Sequence, residues 1–174
     1  MLVSPLRRFL EDPEKILTPF VREGMAVLEI GPGMGYYSLP LARMVGNSGR
    51  VVCVDVQERM LRSLQKRAAK AGLIDRITPV LSSGESLRLE AYEAMIDFAY
   101  LFAVVHEVPD KAKLFEGVYR AMKYGGRLLF SEPNGHVTQK EFDKSVAIAT
   151  SKGLAITTDV DVWRYRSVLM SKTI

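Results

Sequence analysis

Short apolar runs alternate along the chain with longer stretches in which apolar residues recur every three or four positions. The runs Ala26–Ile30, Arg50–Asp55, Ile77–Leu81, Ile96–Phe102 and Arg127–Glu132 are rich in β-branched and aromatic residues and close to continuously apolar. That pattern marks strands buried on both faces. Between them, Tyr36–Val45, Glu58–Ala71, Gly84–Tyr92 and Lys111–Met122 carry the helical period. Two short helices are expected ahead of the first strand, over Pro5–Leu10 and Pro13–Val21, and Asp12 before Pro13 makes a good N-cap and first-turn pair. "KAGL" and "MKYGG" place glycine where helix C-caps want it. Alternation of this kind predicts an α/β fold: a doubly wound, mostly parallel sheet with helices on both faces.

The tail breaks the alternation. A helix is expected over Gln139–Ser151, and two strand-like runs follow, "AITTDVDV" and "YRSVLMSK", separated clearly only by Trp163 and Arg164. A parallel return needs a crossover of a dozen or more residues, so these two runs pair antiparallel. The expected sheet has five or six parallel strands and one reversed C-terminal strand.

At 174 residues the chain fits one domain, 1–174, with residues 1–23 as a short N-terminal helical segment able to act as a lid. The net charge of +4 is dispersed; the densest set, Arg59, Arg62, Lys66, Arg67 and Lys70, spreads over an exposed helical face and reads as a solvated surface, with an anionic partner as the alternative; a nucleic-acid partner is not expected. The single cysteine, Cys53, excludes an internal disulfide and suits a reducing compartment. No apolar leader segment and no long apolar stretch is present, so a cytoplasmic protein without membrane contact is expected. Monomer and homodimer both stay open.

The most informative stretch is "VLEIGPGMGYYSL", Val27–Leu39, where an apolar run ends in Gly31, Gly33 and Gly35 with Glu29 just ahead. No glycine is followed by Lys and then Ser or Thr, so a P-loop is excluded. A dinucleotide fingerprint would put its third glycine at Tyr36, where a side chain crowds the helix–strand approach. The G-x-G-x-G that remains suits a ligand without phosphate lying across bare backbone. Asp55, about twenty residues beyond Gly35, ends the second strand, where a carboxylate accepts ribose hydroxyls; the alternative is an N-cap for the next helix.

These pieces, with "GRVVCVDVQERML", "IDFAYLFAVVHEVPD", "AMKYGGRLLFSEP" and the closing hairpin, resemble the class I S-adenosylmethionine-dependent methyltransferases, in particular the compact small-molecule type that includes quinone-biosynthesis C-methyltransferases. The resemblance implies a Rossmann-like fold and S-adenosyl-L-methionine as cofactor. It implies that Glu29, Gly31, Gly33 and Gly35 face the methionine part, that Asp55 holds the ribose and that Val56 packs on the adenine. Ser83, Gly84 and Glu85 occupy the adenine segment, with Ser83 standing where many members have an acid and Glu85 as its alternative. Leu101 and Phe102 are expected on the methyl-transfer side.

The acceptor side is sparser. The chain has two histidines, His106 and His136, both after strands, where they can share a cleft with Glu132 as candidate catalytic groups. Structural loop roles are the alternative for both, and their spacing is no metal signature, so no metal is expected. Tyr36 and Tyr37 are candidates to cap cofactor or substrate. An Asp/Asn-Pro-Pro-Tyr/Phe motif for base amino methylation is absent after the fourth strand, and Cys53 is misplaced for a cytosine-attacking nucleophile. A small-molecule acceptor is expected, with a catalytically inactive cofactor-binding module or complex subunit as the alternative.

Overall fold

Asp12 starts the first described helix as its pattern predicts: its carboxylate accepts from the backbone N–H groups of Glu14 and Lys15, and Pro13 follows at the first turn. The computed structural model describes residues 12–162 and 164–173. The helix expected over Pro5–Leu10 lies outside them. The chain divides into two compact units, Met1–Leu81 and Ser82–Ile174.

The first unit runs α1 (Pro13–Leu17), β1 (Ala26–Ile30), α2 (Ser38–Met44), β2 (Arg50–Asp55), α3 (Glu58–Lys70) and β3 (Ile77–Leu81). Its strands lie in the order β3-β2-β1, all parallel, with Val27 opposite Val51 and Val51 opposite Ile77. Val27, Leu28, Val51, Val52 and Cys53 are wholly buried, as continuous apolar strands require. Helix α3 buries Leu61, Leu64 and Ala68, one stripe at helical spacing, and exposes Arg59, Arg62, Lys66 and Lys70, while half-buried Arg67 donates to the Met34 carbonyl at 2.6 Å. It ends at Lys70, and Gly72 follows at φ +69°, the left-handed C-cap position expected of "KAGL". Helices α1 and α2 are shorter than their apolar pattern, by four residues at the C-terminal end of α1 and by two and one at the ends of α2. At the C-terminal end of α1 the Thr18 N–H and hydroxyl both close on the Glu14 carbonyl, whereas Tyr37, the N-cap of α2, makes no side-chain cap bond.

The second unit runs β4 (Ile96–Phe102), α4 (Lys111–Ala121), β5 (Met122–Pro133), α5 (Gln139–Ser151), β6 (Leu154–Asp159) and β7 (Tyr165–Lys172), in the strand order β4-β5-β7-β6. β4 and β5 are parallel; β7 is antiparallel to both β5 and β6. Within the unit β7 alone is reversed, as the short hairpin connection predicts. Helix α5 has the expected bounds because Thr138 and Glu141 form a complete capping box. Phe130 of β5 carries both helices: Phe115 of α4 meets it edge-on at 5.6 Å and Phe142 of α5 stacks on it at 4.9 Å.

Two expectations fail here. The helix expected over Gly84–Tyr92 is absent; only a single 3-10 turn, Glu90–Tyr92, forms. Local side-chain bonds compete with the helix: Ser86 N–H donates to Ser83 Oγ and Arg88 N–H to Ser86 Oγ, while Gly84 and Arg88 sit at φ +80° and +55°. The glycines of "MKYGG" do not cap α4 either. The helix ends at Ala121 and the chain turns straight into β5 at Met122. Its end is satisfied from distant residues: the Ala94 and Met95 N–H groups donate to the Arg120 and Ala121 carbonyls at 2.9 Å each, and Lys172 Nζ of β7 donates to the Tyr119 and Met122 carbonyls at 2.9 Å each. Burial without an acidic partner in contact pushes the Lys172 pKa down.

Candidate functional site

In the first unit the candidate residues gather where β1 and β2 end. Gly31, Gly33 and Gly35 all take positive φ, at +71°, +55° and +86°, and Gly31 N–H donates to Val54 O, tying the loop to β2. The glycines serve different ends. A Cβ on Gly33 would meet nothing within 4 Å, so that position is open. A Cβ on Gly35 would lie 2.5 Å from Leu64 Cδ1, so Gly35 lets α3 pack close. Tyr37 is buried and Tyr36 half-buried, their rings edge-to-face at 5.1 Å.

Glu29 is 4% exposed. Its Oε2 accepts from Ser38 Oγ at 2.5 Å and faces the Cys53 thiol at 3.8 Å. Burial pushes its carboxyl pKa up to about 7, against the lowering effect of the Ser38 and Cys53 bonds. Burial and the Glu29 charge push the Cys53 thiol up as well. No described residue bonds Glu29 Oε1. Ser38 and Cys53 are site residues that sequence reasoning missed: the register of β2 against β1 sets Cys53 opposite Glu29, and the return of the chain through the glycine loop into α2 brings Ser38 to it.

Asp55 is half-buried at the end of β2, and its Oδ1 accepts from Gln57 N–H at 2.8 Å. Gln57 is the N-cap of α3, so the N-cap alternative for Asp55 does not hold. Val56, the next residue, is 59% exposed, an apolar side chain left uncovered beside a carboxylate.

In the second unit, Ser83 Oγ is engaged by the Ser86 N–H; Gly84 has open space where a Cβ would stand, and Glu85 is exposed. Leu101 is wholly buried, in register with Phe130, so its side chain belongs to the core rather than to an open surface. Phe102, on the opposite face, packs against Tyr165, the rings tilted by 40° with centroids 4.3 Å apart. Ala103 follows at φ +52°, strained for a residue with a side chain and held by its N–H bond to Ser131 O.

The structure brings the three catalytic candidates together. Glu132, 1% exposed at the end of β5, binds His106 twice: Oε2 lies 2.5 Å from Nδ1, and Oε1 accepts the His106 backbone N–H at 3.2 Å. His106 sits in the 3-10 turn Val105–Glu107, its Nε2 3.9 Å from Glu107 Oε1. Burial raises the Glu132 pKa, and the His106 bonds oppose it. The exposed His136 ring lies nearly parallel to that of His106, 5° apart in plane and 6.4 Å between centroids. A carboxylate on Nδ1–H fixes the tautomer that leaves Nε2 free to accept a proton. Among the described residues no group of three or more His, Cys, Asp or Glu side chains is placed to hold a metal ion. None of the described helices is long and apolar enough to cross a membrane.

Comparison with known proteins places this geometry. The chain is 30% identical over 149 residues to the ubiquinone/menaquinone biosynthesis C-methyltransferase UbiE of Marinomonas sp. (strain MWYL1), and 32% identical to that of Escherichia fergusonii. These matches take in 83% of this chain but 59% of each relative, so the chain spans well under two thirds of their length. A crystal structure of a SAM-dependent methyltransferase from Aquifex aeolicus superposes with a TM-score of 0.86 at 28% identity, over 98% of this chain and 94% of that one. The cyclase SpnF superposes at 0.78 with 15% identity over 92% and 80% of the two chains, a likeness of fold alone. The strand order of each unit and the reversed β7 are thus those of a Rossmann-like α/β fold. A family model described as a methyltransferase domain matches residues 21–164, which hold the glycine loop, Asp55 and the Glu132–His106 pair, and the chain belongs to that family.

Proposed function

We propose that the chain binds S-adenosyl-L-methionine and transfers its methyl group to a small-molecule acceptor, with His106 as general base. The observation that carries this reading is the opening at Gly33: a bare, left-handed backbone position with nothing where a side chain would stand, following a strand that carries Glu29 and neighbouring one that ends in Asp55. A ligand fills such a cradle where a protein side chain does not. The residues present fit the cofactor: Gly31 and Gly33 would lie against its methionine part, with Gly35 shaping the same loop from behind. Glu29 Oε1 would accept from the methionine ammonium, the Asp55 carboxylate from the ribose hydroxyls, and Val56 would cover the adenine. Ser83, Gly84 or Glu85 would meet the adenine edge, and Leu101 would contribute through its main chain.

When bound, the cofactor supplies an already activated methyl group, so the chain need not build an electrophile. What remains for the protein is to hold the acceptor in line and take its proton. Glu132 orients the His106 ring and stabilises the imidazolium formed when Nε2 accepts that proton. His136 presents a second imidazole beside it. This pair favours catalysis over the inactive binding module. Following the relatives' names, a hydroquinone ring carbon is the first acceptor chemistry to test. The family match over residues 21–164 runs through both units, which supports reading them as parts of one methyltransferase domain. The free, buried Cys53 thiol suits the cytoplasm.

The test is calorimetric titration with S-adenosylhomocysteine, with NAD as control, followed by transfer of labelled methyl from S-adenosylmethionine to a water-soluble hydroquinone. Binding of the first and not the second supports the cofactor assignment. Binding of NAD alone overturns it, and binding without any transfer to a panel of small acceptors overturns the catalytic part.

A further inference from the structure

His136 stands on a hydrogen-bonded turn: its own N–H and that of Val137 donate to the Pro133 carbonyl at 3.1 and 3.0 Å, which ties the main chain but leaves the exposed imidazole without a bond of its own among the described residues. Asn134, Gly135 and His136 are all exposed, and a Cβ at Gly135 would meet nothing within 4 Å. A glycine in open space adds backbone freedom just where the imidazole needs a fixed direction. Yet the His136 ring is held nearly parallel to His106.

A further restraint comes from the neighbouring strand. Arg166 of β7 lies in register with Glu132 of β5, its main chain locked by the antiparallel ladder. Its guanidinium reaches over the connection and donates three hydrogen bonds within six residues of chain. Nη1 bonds Asn134 Oδ1 at 2.9 Å and the Val137 carbonyl at 2.7 Å, and Nε bonds Gln139 Oε1 at 3.0 Å. The contacts fall before His136, directly after it and on the first residue of α5. All three acceptors are neutral oxygens, so this arginine is placed as a rigid fork rather than as a partner for a carboxylate. A second tie, Asn134 N–H to the Arg164 carbonyl at 3.0 Å, binds the same connection to the hairpin turn. Glu132 and Arg166, side by side on paired strands, thus divide the work: the carboxylate orients His106 and the guanidinium orients the segment bearing His136.

We propose that Arg166 is a positioning residue that sets His136 against His106. The proposal deepens the function above and rests on it only for its kinetic consequence. It makes the C-terminal hairpin part of the acceptor site.

The test uses Arg166→Met, which keeps an unbranched apolar stem and removes every donor, and Arg166→Lys, which keeps a charge without the fork. The chain has only two histidines, so ring-labelled histidine gives two sets of resonances. In Arg166→Met the His136 signal moves toward the value of free histidine while that of His106 stays; Arg166→Lys shifts it less. An unmoved His136 signal in folded Arg166→Met protein overturns the proposal. With a water-soluble hydroquinone as acceptor, Arg166→Met lowers kcat/KM by roughly 10- to 100-fold, the scale of a small misplacement near the reaction, and leaves S-adenosylhomocysteine affinity within about twofold. Combined with His136→Asn it adds less than about twofold more, since both changes remove one effect. Full multiplicative loss in the double variant, or an equal loss of cofactor affinity, also overturns the proposal. The resonance measurement needs no acceptor. If the hydroquinone is not turned over, or His136→Asn is fully active, that outcome counts against the acceptor or the role of His136, and the resonances still decide what Arg166 does.

Discussion

Glu132 holds His106 with both carboxylate oxygens, one on the imidazole Nδ1 at 2.5 Å and one on the backbone N–H of the same residue at 3.2 Å. The second bond fixes the turn and the first fixes the ring, so the imidazole has neither rotation nor tautomer left to choose. Charge-assisted bonds of this kind are the strong ones, and burial of Glu132 removes the water that would compete for them.

That relationship predicts a specific loss. Glu132→Gln offers one acceptor oxygen in place of two, and turnover should fall by roughly 10²-fold, within the usual contribution of a positioned base. Cofactor affinity should not change, because the pair acts on the acceptor. The wild-type enzyme should lose activity on the acid side starting above the ordinary glutamate range, since burial raises the Glu132 pKa and its protonation removes an acceptor. A pH–rate profile of the two proteins is the measurement. An unchanged profile in the variant removes Glu132 from the mechanism.

Glu29 predicts a conflict between stability and function. Its carboxyl is raised from 4.5 to about 7, so between those values the folded state holds a proton that the unfolded state releases. Stability therefore falls as pH rises through that window, by roughly 3 kcal/mol once pH exceeds 7. Glu29→Gln should abolish this slope and be the more stable protein at pH 8, while binding S-adenosylhomocysteine more weakly. Thermal melts from pH 4.5 to pH 8 with a parallel titration check both halves. A variant that melts lower at pH 8 contradicts the account.

Gly33 and Gly35 should fail differently. Alanine at either costs about 1–2 kcal/mol of left-handed strain. At Gly35 the added carbon also meets Leu64 Cδ1 at 2.5 Å, so Gly35→Ala should lower the melting temperature further through overpacking. Gly33→Ala meets open space and should fold, but bind S-adenosylhomocysteine poorly. Unchanged binding in Gly33→Ala would show that the cofactor does not approach there.

Asp55→Ala should weaken S-adenosylhomocysteine binding by roughly 10- to 100-fold, because hydrogen bonds to a charged group contribute about 1.5–3 kcal/mol each. The Gln57 bond to Oδ1 is lost as well, so a melt of the variant is needed beside the calorimetry. Unchanged affinity in folded protein would remove the ribose contact.

The sequence alone determined the strands, most of the helices and the reversed C-terminal hairpin. These follow from local chemistry: periodicity of 2 or 3.6, a glycine after a helix at Gly72, a capping box at Thr138 and Glu141, a connection too short for a crossover. It also placed Glu29, Asp55, His106, Glu132 and His136 at strand ends. Ser83 and Ser86 draw their segment out of helix by local bonds that helical propensity does not register. Three further features were decided only in three dimensions. Gly35 is a packing glycine because Leu64, 29 residues away, lies over it. Lys172 caps α4 from 50 residues downstream of Met122, which no local cap pattern announces. His106 meets Glu132, and Arg166 meets the segment bearing His136, only because the registers of β4, β5 and β7 set them side by side. A residue's type and its place in its own element are local properties; its partner across a sheet depends on a register fixed by the packing of the whole unit.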